Sequence, residues 1–269
     1  MRLATMTYTF TVSNSPPPSE RIPQIAAECG VEGLNWVGTC GLSPEQARWL
    51  TLDAGLEVSC YTVCPDAFRQ GRPRGEALDE VRRRIEEAGR MGAPCLMVVP
   101  LPPGNSPDRT YSQRRWVDFL REIVPMAEAI HAVLTVENFE GVGSPFVTAA
   151  ELLELRRHVP SLRFTFDAGN AAMGEDPVAC ARQLAGGIAY VHLQDWTVFP
   201  RCSGALIPGL DGRGYAKELI GEGVLDFPAI LRELKRQNYA GFLDIEYAAA
   251  KYTAREAVVR AVRYLKRML

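Results

Sequence analysis

Histidine is scarce in this chain, with only three residues, at positions 131, 158 and 192. A cluster of several imidazole-held zinc ions is therefore excluded. Charge of one sign is not in excess: 30 Lys and Arg stand against 32 Asp and Glu, and the formal net charge is −2. That balance excludes a basic nucleic-acid surface and an acidic disordered tail. No apolar run reaches the roughly 20 residues a membrane-spanning helix needs. The first residues, Met1-Arg2-Leu3-Ala4-Thr5, run into a polar Ser/Pro stretch without a signal-peptide core. A cytoplasmic protein is expected. The seven cysteines are odd in number, and Cys60 and Cys64 have no second Cys or His pair beside them. Free thiols in a reducing compartment are expected, not disulfides or a zinc knuckle. The chain also lacks a linker, a solenoid repeat and a low-complexity tract, so residues 1–269 are expected to form a single domain.

What the chain does have is alternation. Short apolar segments fall at about 2–10, 31–37, 56–63, 94–99, 133–138, 162–167, 188–193 and 241–247. They read as parallel strands covered on both faces. Helical patterns fall between them, at about 20–29, 44–54, 76–91, 111–131, 148–157, 177–185, 226–237 and 253–268. Ser43-Pro44, Thr148 and Asp226-Phe227-Pro228 give start signals, and Gly55 and Gly92 give stops. Eight strands alternating with eight helices predict an α/β fold, the (β/α)8 TIM barrel. A doubly wound open sheet is the alternative, but no glycine-rich phosphate turn follows the first strand. Two long segments, 102–108 and 195–225, follow strands and so belong to the barrel's active face. The second lacks clear periodicity and reads as a lid or binding loop.

Four strands end in a side chain able to bind a metal: Glu137, Asp167, His192 and Glu246. In a barrel these four strands are ring neighbours, so the side chains converge. Clustered buried carboxylates repel one another and cost several kcal/mol each, on the order of the desolvation penalty, unless a cation compensates. Three oxygen donors and one nitrogen suit one divalent ion, Mn²⁺ first, with Mg²⁺, Co²⁺ and Zn²⁺ as alternatives. Four ligands leave positions open for two substrate oxygens. Trp36, Phe139, Trp196 and Phe199 lie just beyond strand ends, where an apolar wall is one reading and core packing or loop anchoring the other.

The sequence Val136-Glu137-Asn138, Phe166-Asp167-Ala168-Gly169-Asn170, Val191-His192-Leu193-Gln194-Asp195, Gly221-Glu222-Gly223-Val224-Leu225-Asp226-Phe227 and Ile245-Glu246-Tyr247 resembles the xylose isomerase-like TIM barrels, in their sugar isomerase/epimerase branch. That branch includes hydroxypyruvate isomerases, ketose 3-epimerases, inosose dehydratases and, more distantly, the endonuclease IV repair enzymes. The resemblance implies that Glu137, Asp167, His192 and Glu246 bind one metal, and that Glu137 and Glu246 double as the catalytic acid/base pair. Asn170, Asp195, Arg201, Arg213 and Trp36 become candidates for substrate binding. The chain departs from the family pattern at Asn170, where His is common. It departs again at Gln194, where Lys is frequent, which removes a positive charge near the site.

The activity this implies is a metal-dependent isomerase or epimerase of a small sugar, sugar acid or cyclitol, working through a metal-stabilised enediolate. The alternative is a lyase that dehydrates a keto-cyclitol or dehydroshikimate-like acid on the same scaffold. An endonuclease IV-like phosphodiesterase conflicts with the histidine count and the near-neutral charge. A non-catalytic barrel conflicts with the intact ligand set. The expected partners are a small-molecule polyol, sugar or keto acid and possible further copies of the chain, with neither nucleic acid nor membrane.

Overall fold

The computed structural model describes residues 1–104 and 106–269. Eight parallel strands close a barrel: β1 (Arg2–Met6), β2 (Gly33–Val37), β3 (Glu57–Val63), β4 (Cys95–Val98), β5 (Val133–Glu137), β6 (Arg163–Asp167), β7 (Ile188–Leu193) and, after an insertion, β11 (Phe242–Ile245). The ring runs β1-β2-β3-β4-β5-β6-β7-β11 and back to β1. Each expected strand is present, and the open-sheet alternative is excluded by closure between β1 and β11, where Ala4 pairs with Asp244. The strands are almost wholly buried because helices cover their outer faces and side chains fill the lumen. Ala4, Cys60, Cys95, Met97, Tyr190 and Phe242 form the lumen packing. Gly33 is required on β2, since a Cβ there would come within 2.6 Å of the Phe242 ring.

The helix boundaries follow their capping chemistry. The Ser43 hydroxyl accepts from the Gln46 amide, and Asp226 accepts from Ala229. Thr148 with Glu151 and Thr253 with Glu256 close capping boxes. Gly92 ends the helix Arg74–Met91 in the left-handed region, at φ 67°. All seven cysteines are free thiols. No helix among the described residues is long and apolar enough to cross a membrane.

Two regions differ from the sequence reading. The expected first strand, 2–10, ends at Met6, and Thr7–Thr11 is helical. Threonine hydroxyls stabilise the turn from outside: Thr7 Oγ1 accepts from the Val37 amide and Thr9 Oγ1 from Tyr247. The turn brings Tyr8 to the barrel mouth. The segment 195–225, read as an aperiodic loop, instead holds a three-stranded antiparallel sheet. Its strands are β8 (Asp195–Phe199), β9 (Ile207–Pro208) and β10 (Gly214–Glu218), in the order β8-β10-β9. Its strands are short and pair across long connections, so no period accumulates along the chain. In the segment expected as a loop at 102–108, Asn105 lies outside the described residues.

Candidate metal centre and active-site cavity

A cavity of about 190 Å³ opens at the C-terminal ends of the strands. Its walls divide by arc. From β1 to β4 come Met6, Val37 and Met97, with Val99 and Leu101 just beyond. From β5, β7 and the end of β11 come Glu137, His192 and Glu246. Asp167, at the end of β6, is fully buried between its neighbours.

Three of the expected ligands, Glu137, Asp167 and His192, each offer one donor atom, and these lie within 4.8 Å of one another. Glu246 completes the convergence. His192 Nδ1 stands 3.4 Å from Glu137 Oε2, 3.8 Å from Glu246 Oε2 and 3.9 Å from Asp167 Oδ2. Yet this buried nitrogen has no hydrogen-bond partner among the described residues. A buried imidazole nitrogen without a partner, facing three carboxylate oxygens, fits a divalent cation. Donors about 2.1 Å from a shared ion are separated from one another by three to four ångströms.

The electrostatics agree with that fit. Burial, followed by the charges of Glu246 and Glu137, pushes Asp167 well above the usual carboxylate range. Burial likewise raises Glu137, partly offset by His192. Burial disfavours the imidazolium of His192, but the surrounding carboxylates, Glu137 first, outweigh it and push the group up to about 10. A proton there does the work that a cation would do.

The opposite edge of the imidazole shows how it is aimed. His192 Nε2 lies 3.4 Å from Asp244 Oδ2. The same Asp244 oxygen accepts from Asn35 Nδ2 at 2.7 Å and Tyr190 at 3.2 Å. Thr62 donates to Asn35 Oδ1 in turn. Asn35 Nδ2 lies 3.5 Å from the same ring nitrogen, so Asp244 and Asn35 together bound this edge of the imidazole and hold its Nδ1 edge toward the carboxylates. Sequence reasoning missed Asp244. The signal was present: it precedes Glu246 by two in a strand, so both face the lumen.

Asn170 borders the cavity. Its backbone N–H donates to Asp167 Oδ1 at 2.7 Å, and its side chain donates to the Asn138 carbonyl at 3.1 Å. Gln194 Nε2 donates to Asp167 Oδ2 at 2.7 Å and to Asn170 Oδ1 at 2.9 Å. Gln194 Oε1 accepts from Lys217 Nζ. The positive charge missing at position 194 is thus present at the site, delivered by β10. The Lys217 ammonium is 2.8 Å from Glu140 Oε2, 3.4 Å from Glu246 Oε1 and 4.4 Å from the Trp196 ring centre. Lys217, Glu140 and Tyr8 line the cavity but were not among the sequence-derived site residues.

Four expected substrate-binding residues do not reach it. Trp36 is fully buried away from the mouth, with its indole N–H donating to Thr51. Asp195 is a backbone clamp that accepts from the amides of Trp196, Gly221, Gly223 and Leu225. A Cβ on Gly223 would approach Asp195 Oδ1 to 2.3 Å, which accounts for that glycine. Arg201 is exposed, and Arg213 pairs with Asp211 in the insertion at 2.6 Å. Of the aromatic residues, Phe139 borders the cavity and Trp196 is buried beneath Lys217, while Phe199 is exposed.

The architecture is shared widely. A D-psicose 3-epimerase structure superposes with a TM-score of 0.77 at 14% identity, covering 100% of this chain and 99% of the other. A D-tagatose 3-epimerase-like protein superposes with 0.75 at 22% identity, covering 100% and 97%. A probable 3-DHS dehydratase from Bacillus anthracis superposes with 0.77 at 17% identity, covering 99% of both chains. In sequence, an uncharacterized protein of Methanocaldococcus jannaschii is 28% identical over 236 residues, which is 78% of this chain and 71% of the relative. The description of the xylose isomerase-like TIM barrel family matches residues 23–268, and the chain belongs to that family.

Proposed function

We propose that this protein is a divalent-metal-dependent isomerase or epimerase of a small sugar, sugar acid or cyclitol, with Glu137 and Glu246 as its acid/base pair. The observation that carries the reading is the unpartnered His192 Nδ1, aimed at three carboxylates in the floor of a cavity. Glu137, Asp167, His192 and Glu246 would hold the metal, with Mn²⁺ the favoured ion. When bound, the ion polarises a substrate carbonyl and balances the negative charge that develops when the neighbouring carbon loses its proton.

The chain's own residues supply the rest. Glu137 and Glu246 reach the cavity from the two ends of the polar arc, so a substrate between them meets a carboxylate on either side. One takes the proton from the carbon beside the carbonyl, and the other returns a proton to the opposite face or the adjacent carbon. Glu246 has its two oxygens in different surroundings, Oε2 toward His192 and Oε1 toward Lys217. The apolar arc of Met97, Val99 and Leu101 excludes water, which strengthens these interactions.

A second reading, a dehydratase, uses the same proton abstraction followed by loss of a β-hydroxyl. The superposition on a probable 3-DHS dehydratase supports keeping it. Incubating the Mn²⁺-loaded protein with ketoses in D₂O tests both. Exchange of the substrate α-hydrogen without loss of water supports isomerisation, and an unsaturated product supports elimination. Absence of exchange and of product, with Mn²⁺ bound, would refute the enzyme reading.

A further inference from the structure

Among the described residues, the cavity contains one cation, Lys217, and that charge is already matched. Glu140 Oε2 lies at 2.8 Å and Glu246 Oε1 at 3.4 Å, while Gln194 Oε1 accepts from the same ammonium. The candidate arginines, Arg201 and Arg213, are elsewhere. Glu137, Glu140, Asp167 and Glu246 bring four negative charges to the site, against Lys217 and one divalent ion. Counting a neutral His192 as a ligand, the site stays net negative before any substrate enters. A carboxylate or phosphate would meet repulsion there, with no guanidinium fork to receive it.

The pair Lys217 and Glu140 has a different complementarity. An ammonium donates and a carboxylate accepts, and a hydroxyl group does both. Lys217 is fixed for such a contact. It comes from β10, opposite Trp196 in the antiparallel register, and its ammonium stands over that indole. Gln194 suits this arrangement because its amide accepts from Lys217 while donating to Asp167 and Asn170. A lysine at 194 could only donate.

We infer that Lys217 and Glu140 form a hydroxyl-binding subsite beside the metal centre, and that the substrate is an uncharged polyhydroxy ketone, not a sugar acid or a phosphate ester. The inference rests on the proposed function and narrows its substrate class. Lys217 is a binding residue: a substrate hydroxyl remote from the reacting carbon takes the N–H that now makes the long 3.4 Å contact to Glu246 Oε1, while the contacts to Glu140 and Gln194 stay.

The test is α-hydrogen exchange in D₂O by the full-length Mn²⁺-loaded protein, on a panel of D-fructose and D-tagatose against fructose 6-phosphate and 2-ketogluconate. The expected kcat/KM is at least about tenfold higher for the uncharged ketoses, the equivalent of one charge-assisted hydrogen bond. Equal or faster exchange with the charged compounds overturns the subsite assignment and leaves the proton-transfer reading standing. No exchange with any of the four overturns both. Lys217→Gln and Glu140→Gln supply the second measurement. Each should raise KM for the exchanging ketose about tenfold with a smaller change in kcat. Their Mn²⁺ affinity, read by electron paramagnetic resonance, should stay within about twofold of wild type and their Tm should be retained. Adding Gln194→Lys to Lys217→Gln should recover part of the lost KM. An unchanged KM in both single variants, or a fall in Mn²⁺ affinity that accounts for the loss, overturns the assignment.

Discussion

The two arcs of the barrel mouth are built on opposite terms. From β5 through β7 to the end of β11, strand ends carry Glu137, Asp167, His192 and Glu246, and almost every polar atom there depends on a neighbour. From β1 to just beyond β4 the walls are mainly Met6, Val37, Met97 and Val99, with Thr62 as a polar exception that donates to Asn35. The polar arc is unfavourable by itself, since burial raises Glu137 and Asp167 toward their neutral forms. The apolar arc asks for no compensation, and by excluding water it intensifies what happens opposite. A metal centre of this kind needs both: one arc to accumulate charge, the other to keep solvent from screening it.

Removing an acid/base group from the polar arc should have the largest effect. Glu137→Gln and Glu246→Gln are each expected to lower α-hydrogen exchange about a thousandfold, within the usual range for general acid–base catalysis. A wild-type rate in either variant would refute its assigned role. Asp244→Asn should follow, weakening Mn²⁺ binding about ten- to a hundredfold by releasing the imidazole orientation. Titration calorimetry with Mn²⁺ checks this, and unaltered affinity would show that the contact between Asp244 and His192 positions nothing.

Proton linkage gives the next test. With His192 pushed up to about 10 by its carboxylates, Mn²⁺ binding at pH 7 should release a proton, seen as a dependence of the binding heat on buffer ionisation. For metal-free protein the sign follows from a raised imidazole. The stabilisation is fully present below the ordinary value of 6.5 and is lost as pH rises through about 10. Tm without metal should therefore fall between pH 7 and 10, while Tm with saturating Mn²⁺ falls less. Parallel curves would disprove this.

The apolar arc should respond more weakly. Val99→Ala is expected to lower kcat/KM about tenfold at most, with Mn²⁺ affinity unchanged, since it removes packing and no charge. Smallest of all, Arg201→Ala and Arg213→Ala should leave KM within about twofold, because both lie outside the cavity. Trp36→Phe should act on Tm alone, through the lost indole bond to Thr51 and the vacated volume. A KM change in any of these three would move the boundary between site and scaffold.

Legibility in the sequence followed distance along the chain. Glu137, Asp167, His192 and Glu246 each close an apolar strand, so local pattern exposed them and the barrel count brought them together. Asp244 was readable from strand alternation, as the same face two residues before Glu246, but looked like one more polar break. Tyr8 was hidden because 2–10 reads as one strand, while hydroxyl bonds from Thr7 and Thr9 turn it into a helix after Met6. Asp195 and Trp36 were assigned by closeness to strand ends. Their contacts instead run to backbone amides of the 221–225 segment and to Thr51.

By itself the sequence determined the barrel and the convergence of its four candidate ligand residues, because buried parallel strands leave a local apolar record and a parallel barrel brings their C-terminal ends to one mouth. Only the tertiary structure decided where the cation beside them comes from. Gln194 and Lys217 are brought together by the antiparallel register of β8 and β10, in which Trp196 faces Lys217. Cross-strand pairing of short segments depends on register and leaves no periodic trace, so a charge absent from one strand could reappear from another only once the chain was folded.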